Sequence, residues 1–199
     1  MAVHVGIIGV GKMGMPVLER LLDEGYSVSC YARSTSAIDA IAKMGAQVCE
    51  SAKEVASRAD VLILCVYSEE QLCELVFEGE GLVSVMKPGS LLLSHTTGSP
   101  KTIEALASKA KDYGVDILDA PFSGGPQDIL AGEVTLLVGG EASVLSRCQS
   151  VLSAYAKPII HTGPLGSGQK TKLINNLLFG ANIRLVVEAS RLASEFGME

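Results

Sequence analysis

The sequence predicts an α/β protein: a doubly wound, mostly parallel sheet followed by one long helix. Three features predict it. Strand-length apolar runs alternate with segments of helical spacing, the first run feeds straight into a glycine-rich turn, and the C-terminal stretch carries one helical pattern without a break. Repeated βα units call for parallel strands, because parallel neighbours need crossover connections and those crossovers lay helices on both faces of a sheet. In chain order the strands are expected at His4 to Ile8, Ser27 to Tyr31, Val61 to Val66, Leu91 to Ser94, Asp116 to Asp119 and Thr135 to Val138. Between them, helical spacing runs over Met13 to Glu24, Ala37 to Met44, Gln71 to Val76, Thr102 to Lys111 and Ala142 to Ser153. The Gly/Pro-rich stretch Gly163 to Gly168 interrupts the pattern and reads as a linker or hinge. The expected organisation is therefore a sheet domain over residues 1–163, a hinge over 164–168 and the long helix over 169–199.

That last helix, about Gln169 to Phe196, would span roughly 40 Å at 1.5 Å per residue. Its apolar residues, among them Leu173, Ile174, Leu177, Phe179, Ile183, Val186 and Leu192, cover much of its circumference. Such a helix normally packs on several sides, and the preceding domain can cover only one. A homo-oligomer contact through this helix, or a helical domain beyond the chain, is expected to cover the rest.

Composition narrows the class. The chain has 199 residues, 48% hydrophobic and 19% charged, enough for one well-buried core. Its longest apolar run, Val61 to Val66, is far short of the roughly 20 residues that a membrane span needs, and a strand pattern stands at the N-terminus in place of a signal peptide. A cytoplasmic protein with no membrane partner is expected. The net charge of −6 disfavours nonspecific attraction to nucleic acid. Cys30, Cys49, Cys65, Cys73 and Cys148 show no close metal-type pairing and read as reduced thiols, so no metal site is expected. His4, His95 and His161 fit no Ser-His-Asp or metal spacing and receive no catalytic role.

The turn after the first strand is Gly9-Val10-Gly11-Lys12-Met13-Gly14, a dinucleotide fingerprint in its proper strand-to-helix setting. Gly9 permits the tight turn, Gly11 lets the backbone approach a pyrophosphate, and Gly14 lets helix pack closely on strand. The helix N-terminus offers unpaired N–H groups to the phosphates. This makes the fold Rossmann-type. A cofactor without a 2′-phosphate would be expected to meet an acidic residue about 20 residues further on, and none stands there. The second strand instead ends Ala32-Arg33-Ser34-Thr35, where Arg33 can pair with a phosphate and Ser34 can donate a hydrogen bond, or where an arginine simply sits beside an N-cap serine. NADP is favoured, with NAD still allowed. Val66, Tyr67 and Thr97 follow later strands, at the carboxyl ends where ligands of open parallel sheets lie. Val66 and Tyr67 suit the adenine or nicotinamide side, and Thr97 suits the nicotinamide ribose or carboxamide, unless Thr96-Thr97 is only the turn before a helix opened by Ser99-Pro100.

Ser123-Gly124-Gly125 places a hydroxyl beside two glycines whose N–H groups can approach a small carboxylate, or else forms a plain tight turn. Lys172 and Asn176, four apart, share one face of the long helix. A lysine beside a bound alcohol can take or return its proton while hydride moves at a nicotinamide, and burial or the neighbouring Lys170 would lower its pKa. A solvated lysine beside a surface asparagine is the plain alternative.

Taken together, the Gly9 to Met15 turn, Thr96-Thr97-Gly98-Ser99-Pro100, Asp119 to Gly125 with Gly132 and Val138-Gly139-Gly140, and Gly166 to Lys172 continuing to Asn175-Asn176 resemble the β-hydroxyacid dehydrogenase family. That family includes 3-hydroxyisobutyrate dehydrogenases, tartronate semialdehyde reductases and glyoxylate or succinic semialdehyde reductases. The resemblance implies that Lys172 is the catalytic lysine, that Ser123, Gly124 and Asn176 bind substrate, and that Val66, Tyr67 and Thr97 contact cofactor. Asn175 matches the family's paired asparagine and faces substrate or serves structure. Ala32-Arg33-Ser34 is similar to the NADP-using branch. Ser94 stands where an aspartate is usual, Tyr67 where proline is frequent, Phe122 where valine is frequent and Gln127 where glycine is frequent. Family members continue into a helical domain that closes the site and mediates dimerisation, so the resemblance implies that most of this domain is missing here. The expected function is an NADP-dependent interconversion of a short β-hydroxyacid and its semialdehyde or keto form. The alternatives are a noncatalytic NADP-binding or assembly module and a relative of 6-phosphogluconate dehydrogenase, whose histidine before the helical asparagine is replaced by Asn175.

Overall fold

The computed structural model describes residues 3–32 and 34–198. Along the chain come β1 (His4–Ile8), α1 (Gly14–Asp23), β2 (Ser27–Tyr31), α2 (Thr35–Lys43), β3 (Gln47–Val48), α3 (Ala52–Arg58), β4 (Val61–Leu64) and α4 (Glu69–Phe77). A 3-10 turn (Leu82–Val85) precedes β5 (Leu91–Ser94), α5 (Pro100–Lys111), β6 (Asp116–Asp119), β7 (Phe122–Ser123), α6 (Pro126–Leu130), β8 (Val134–Gly139), α7 (Ala142–Ser153), β9 (Ala156–Gly163) and α8 (Ser167–Glu195).

All strands join one sheet in the order β3-β2-β1-β4-β5-β6-β8-β7, with β9 also paired to β8. Pairing is parallel from β3 through β6 and between β8 and β9, and antiparallel where β8 meets β6 and β7. The central strands are covered on both faces, which is why they read as unbroken apolar runs. On one face Val17, Leu18 and Leu21 of α1, Ile129 of α6 and Leu145, Cys148 and Leu152 of α7 pack on Val5, Ile7, Leu91 and Leu93. On the other, Val55 of α3, Leu72 and Val76 of α4 and Ile103 and Leu106 of α5 pack on Leu62, Leu64 and Leu92.

Sequence reading did not mark β3, β7, β9, α3 or α6. The first two are only two residues each, too short to show alternation. Strand β9 is fully buried only at Ala156, has half of its positions exposed and carries Pro158, both features that blur a strand signal. Helix α3 did carry a start signal: the Ser51 side chain accepts from the Glu54 amide at 3.1 Å, and the Glu54 carboxylate accepts from the Glu50 amide at 2.8 Å.

The chain visits β1, β2 and β3 to one side and then crosses to β4, β5 and β6 on the other. The crevice at the carboxyl ends of β1 and β4 is therefore a topological switch point, where open α/β sheets bind ligands. Helix α8 begins two residues earlier than expected, inside the Gly/Pro-rich stretch. Its first turn is buried at Gly168 and Gln169, whereas Leu173, Ile174, Leu177, Phe179, Leu185 and Val186 are exposed.

Candidate functional site

Each glycine of the fingerprint has its own steric reason. Gly9 has φ +100°, and a Cβ there would stand 2.3 Å from the Cys65 carbonyl oxygen, because β1 and β4 run side by side into the crevice. At Gly14 a Cβ would stand 2.1 Å from the Gly9 carbonyl oxygen, so this glycine sets the close seat of α1 on β1. Around Gly11 the space is open: no heavy atom lies within 4 Å of a Cβ placed there. Helix α1 carries no acidic residue in its first turn and no side-chain cap at Met13; the Met15 amide donates to the Gly11 carbonyl at 2.9 Å and Pro16 has no N–H, so the amides ahead of Met15 are the ones left for an outside anion.

Two cavities meet at this turn. The first, about 520 Å³, is lined by Gly9, Val10, Gly11, Ala32, Ser34, Val66, Tyr67 and the α4 residues Gln71, Glu74 and Leu75. Its position, beyond the ends of β1 and β2, suits the adenosine half of a dinucleotide. Ser34 also caps α2, accepting from the Ala37 amide at 3.3 Å. Arg33, the residue on which the NADP preference mainly rests, lies outside the described residues. The second cavity, about 370 Å³, is bordered by Gly11, Lys12, Met13, Val66, Tyr67, Thr97, Phe122, Gly124 and Lys172. A nicotinamide continuing from the pyrophosphate turn would enter here, so the residues present fit the cofactor that the fingerprint implies.

Lys172 reaches this cavity because α8 is pinned at its start. The Asp119 carboxylate, fully buried at the end of β6, accepts from the Gly166 amide on one oxygen and the Gln169 amide on the other, both at 2.7 Å. Burial pushes the Asp119 carboxyl up, and these amides pull it back. Gln169, also fully buried, donates from Nε2 to the Thr96 carbonyl at 2.8 Å and accepts on Oε1 from the Gly98 amide at 3.0 Å. The helix is thus tied to the ends of β5 and β6, one turn before Lys172. Burial lowers the Lys172 pKa. The neighbouring charge expected to help plays no such part, because Lys170 is exposed and faces Glu104 at 3.7 Å.

The two threonines after β5 divide their work. Thr96 is buried; its hydroxyl accepts from the Val66 amide at 3.1 Å and lies 3.2 Å from the Val66 carbonyl, bracing the loop after β4. Thr97 is exposed and faces the cavity. Ser99 caps α5 through the Lys101 amide at 3.2 Å, so helix start and cavity wall coexist in one segment.

The Ser123-Gly124-Gly125 segment is brought only partly to the site. Gly124, at φ +139°, lines the cavity with Lys172. The Gly125 amide, expected to help cradle a carboxylate, donates to the Asp128 carboxylate at 2.6 Å at the start of α6. That donor is already used. Ser123 sits on β7 opposite Thr135, beside Gly124 but not on the cavity wall. Asn175 and Asn176 lie about one turn beyond Lys172 on α8, both exposed and outside the cavity.

Sequence reasoning gave His95 no role, yet it floors this cavity. It is buried, its ring centroid 4.4 Å from that of Phe122, with Nδ1 2.6 Å from the Ala120 carbonyl and Nε2 2.8 Å from the Tyr155 hydroxyl. A carbonyl only accepts, so Nδ1 carries the proton and Nε2 accepts from Tyr155. Burial lowers the His95 pKa to about 4, so the ring is neutral at pH 7. No sequence spacing links residues 95, 120 and 155. Only the sheet order brings them together.

Comparison with known proteins bears on the family and the fold. Residues 4–163 match the family model described as the NAD binding domain of 6-phosphogluconate dehydrogenase. The whole chain is 34% identical to 2-(hydroxymethyl)glutarate dehydrogenase of Eubacterium barkeri, covering 66% of that protein. It is also 34% identical to L-threonate dehydrogenase of Cupriavidus necator, covering 67% of it. Among solved structures, Mycobacterium tuberculosis 3-hydroxyisobutyrate dehydrogenase with L-serine superposes with a TM-score of 0.90 at 30% identity, over all of this chain and 67% of that one. The chain thus spans about two thirds of the length of the relatives it matches. With its sheet order, its glycine turn and these matches in agreement, the chain belongs to the β-hydroxyacid dehydrogenase family and carries that family's nicotinamide-dinucleotide-binding domain.

Proposed function

We propose that the protein is an NADP-dependent oxidoreductase interconverting a short β-hydroxyacid and its semialdehyde or keto form, with Lys172 as the acid/base. The observation that carries this reading is the cavity shared by Lys172, Thr97, Gly124 and the Gly11-Lys12-Met13 turn. The bound nicotinamide supplies or accepts hydride; Lys172 holds the proton of the substrate oxygen, giving it up during reduction and taking it during oxidation. A lysine whose pKa burial has lowered makes that exchange at a pH closer to neutral. Ser123, Gly124 and Asn176, with Asn175 beside it, would receive the substrate carboxylate from the open side of the cavity. NADP is favoured because, among the described residues, those that line the adenosine cavity at the end of β2 are Tyr31, Ala32 and Ser34, none of them acidic, while the carboxylate on its wall, Glu74, stands on α4.

The test is NADPH oxidation by the full chain with short semialdehydes, alongside Lys172→Ala. Turnover should fall by about 10² or more, the usual scale for loss of a general acid/base, with NADPH affinity retained. Reduction needs the ammonium form, so its rate should fall as pH rises through the Lys172 pKa, and oxidation should rise. Unchanged turnover in Lys172→Ala would reject the mechanism.

We take a second copy of the chain as the partner of α8, whose exposed Leu177, Leu178, Phe179, Leu185 and Val186 spread around much of the helix and leave a broad apolar surface to be covered. Among the described residues, no helix is long and apolar enough to cross a membrane; a cytoplasmic location is part of the same proposal. That same apolar face favours a second reading, a noncatalytic cofactor-binding assembly module. NADPH binding without turnover across a panel of hydroxyacids and semialdehydes would select it.

A further inference from the structure

We propose that Tyr67 is a cover for the bound dinucleotide: its ring folds over the pyrophosphate and its hydroxyl donates to a phosphate or ribose oxygen. This goes beyond the reaction but rests on the dinucleotide reading of the two cavities. Tyr67 follows β4, and its backbone is held: the amide donates to Gln71 Oε1 at 3.2 Å, and the next residue, Ser68, caps α4 by accepting from the Gln71 amide at 3.4 Å. Its side chain, by contrast, is 96% exposed. A solvated tyrosine is ordinary in itself; the position of this one is not.

Four residues border both cavities: Gly11, Cys65, Val66 and Tyr67. They mark the waist that any ligand filling both halves must cross. At this waist Gly11 has no side chain and open space in front of it, while Cys65 and Val66 are half-buried wall. Only Tyr67 has a large side chain free to move onto the ligand. The waist also lies at the uncapped N-terminus of α1, where the phosphates belong. A ring hinged opposite that terminus closes the channel with two side-chain torsions, so little conformational entropy is lost, and its hydroxyl is a donor suited to a phosphate oxygen.

The experiment is a titration of NADPH against the full chain, Tyr67→Ala, Tyr67→Phe and, as reference, Gly11→Val, followed by enhancement of cofactor fluorescence. The chain contains no tryptophan, so quenching of tyrosine emission gives a second readout. Tyr67→Ala should weaken NADPH binding about tenfold or more, on the scale of losing one buried aromatic contact and its hydrogen bond, with Tyr67→Phe in between. Adenosine 2′-monophosphate, which ends before the pyrophosphate, should bind Tyr67→Ala and the parent alike. If Tyr67→Ala binds NADPH within twofold of the parent while Gly11→Val loses it, the Tyr67 assignment falls and the dinucleotide reading stands. Equal weakening of NADPH and the adenosine fragment would make Tyr67 a wall of the adenosine cavity, which also overturns the cover. If the parent binds no NADPH, or Gly11→Val binds it as well as the parent, both readings fall together.

Discussion

The three fingerprint glycines look alike in sequence and should behave differently when replaced. Gly9→Ala forces an L residue to φ +100° and puts a methyl 2.3 Å from the Cys65 carbonyl oxygen, where the obstacle is backbone. Strain of about 1–3 kcal/mol from the dihedral and about 1–3 kcal/mol from overpacking together make a loss of roughly 2–6 kcal/mol. That is a large part of the roughly 5–15 kcal/mol that holds a domain together. Gly14→Ala meets the Gly9 carbonyl oxygen at 2.1 Å in a helical conformation that alanine favours, so only the overpacking remains, about 1–3 kcal/mol. At Gly11 an added Cβ meets nothing within 4 Å beyond its chain neighbours, so Gly11→Val should change stability by no more than about 0.5 kcal/mol, while its side chain fills the space a pyrophosphate needs. Urea denaturation gives the first quantity and NADPH titration the second. The expected pattern is two variants that lose stability and a third that loses only binding. A Gly11→Val chain that binds NADPH normally, or a Gly9→Ala chain with the parent's urea midpoint, would refute the steric assignment.

His95 should make the fold acid-sensitive. The unfolded chain takes up its proton near pH 6.5, whereas burial holds the folded His95 neutral down to about 4. The unfolded state therefore binds more protons in that window, and stability falls as pH falls through it, by up to roughly 3 kcal/mol. Urea midpoints measured between pH 7.5 and 4.5 should slope less in His95→Asn than in the parent, and equal slopes would remove His95 as the cause. Asp119→Asn keeps one acceptor but turns an amide donor toward a backbone N–H, so a loss of about 2–4 kcal/mol is expected, with α8 loosened at its start. If Asp119 positions Lys172, turnover in this variant should drop more than the affinity for NADPH; a matched drop in both would assign Asp119 to general stability alone.

The parts of the fold that showed in the sequence are those whose constraints act locally. Strands β1, β2, β5 and β6 lie where they were expected; burial on both faces makes β5 an almost unbroken apolar run, while β2 and β6 keep short apolar cores between Ser27, Ser29, Asp116 and Asp119. The glycine turn was legible through its motif: Gly14 answers to the Gly9 carbonyl within the same strand-turn-helix unit, whereas the obstacle at Gly9 is the Cys65 carbonyl just beyond β4, a constraint that only the sheet brings close. The substrate side was not legible to that degree. Lys172 is set by Asp119 and Gln169, and Gln169 in turn holds Thr96 and Gly98 from over 70 residues away, so its place depends on sheet order. Gly125 shows the opposite failure: a glycine pair suggested free amides, but Asp128, three residues on, takes one of them to start α6. The aspartate that spends this amide stood in plain view in the sequence; what could not be read was which of two local uses would win. A helix start satisfied by its own carboxylate needs no ligand, so the carboxylate cradle we propose would rest on Gly124 and Ser123, and on the face of α8 that Asp119 and Gln169 hold in place.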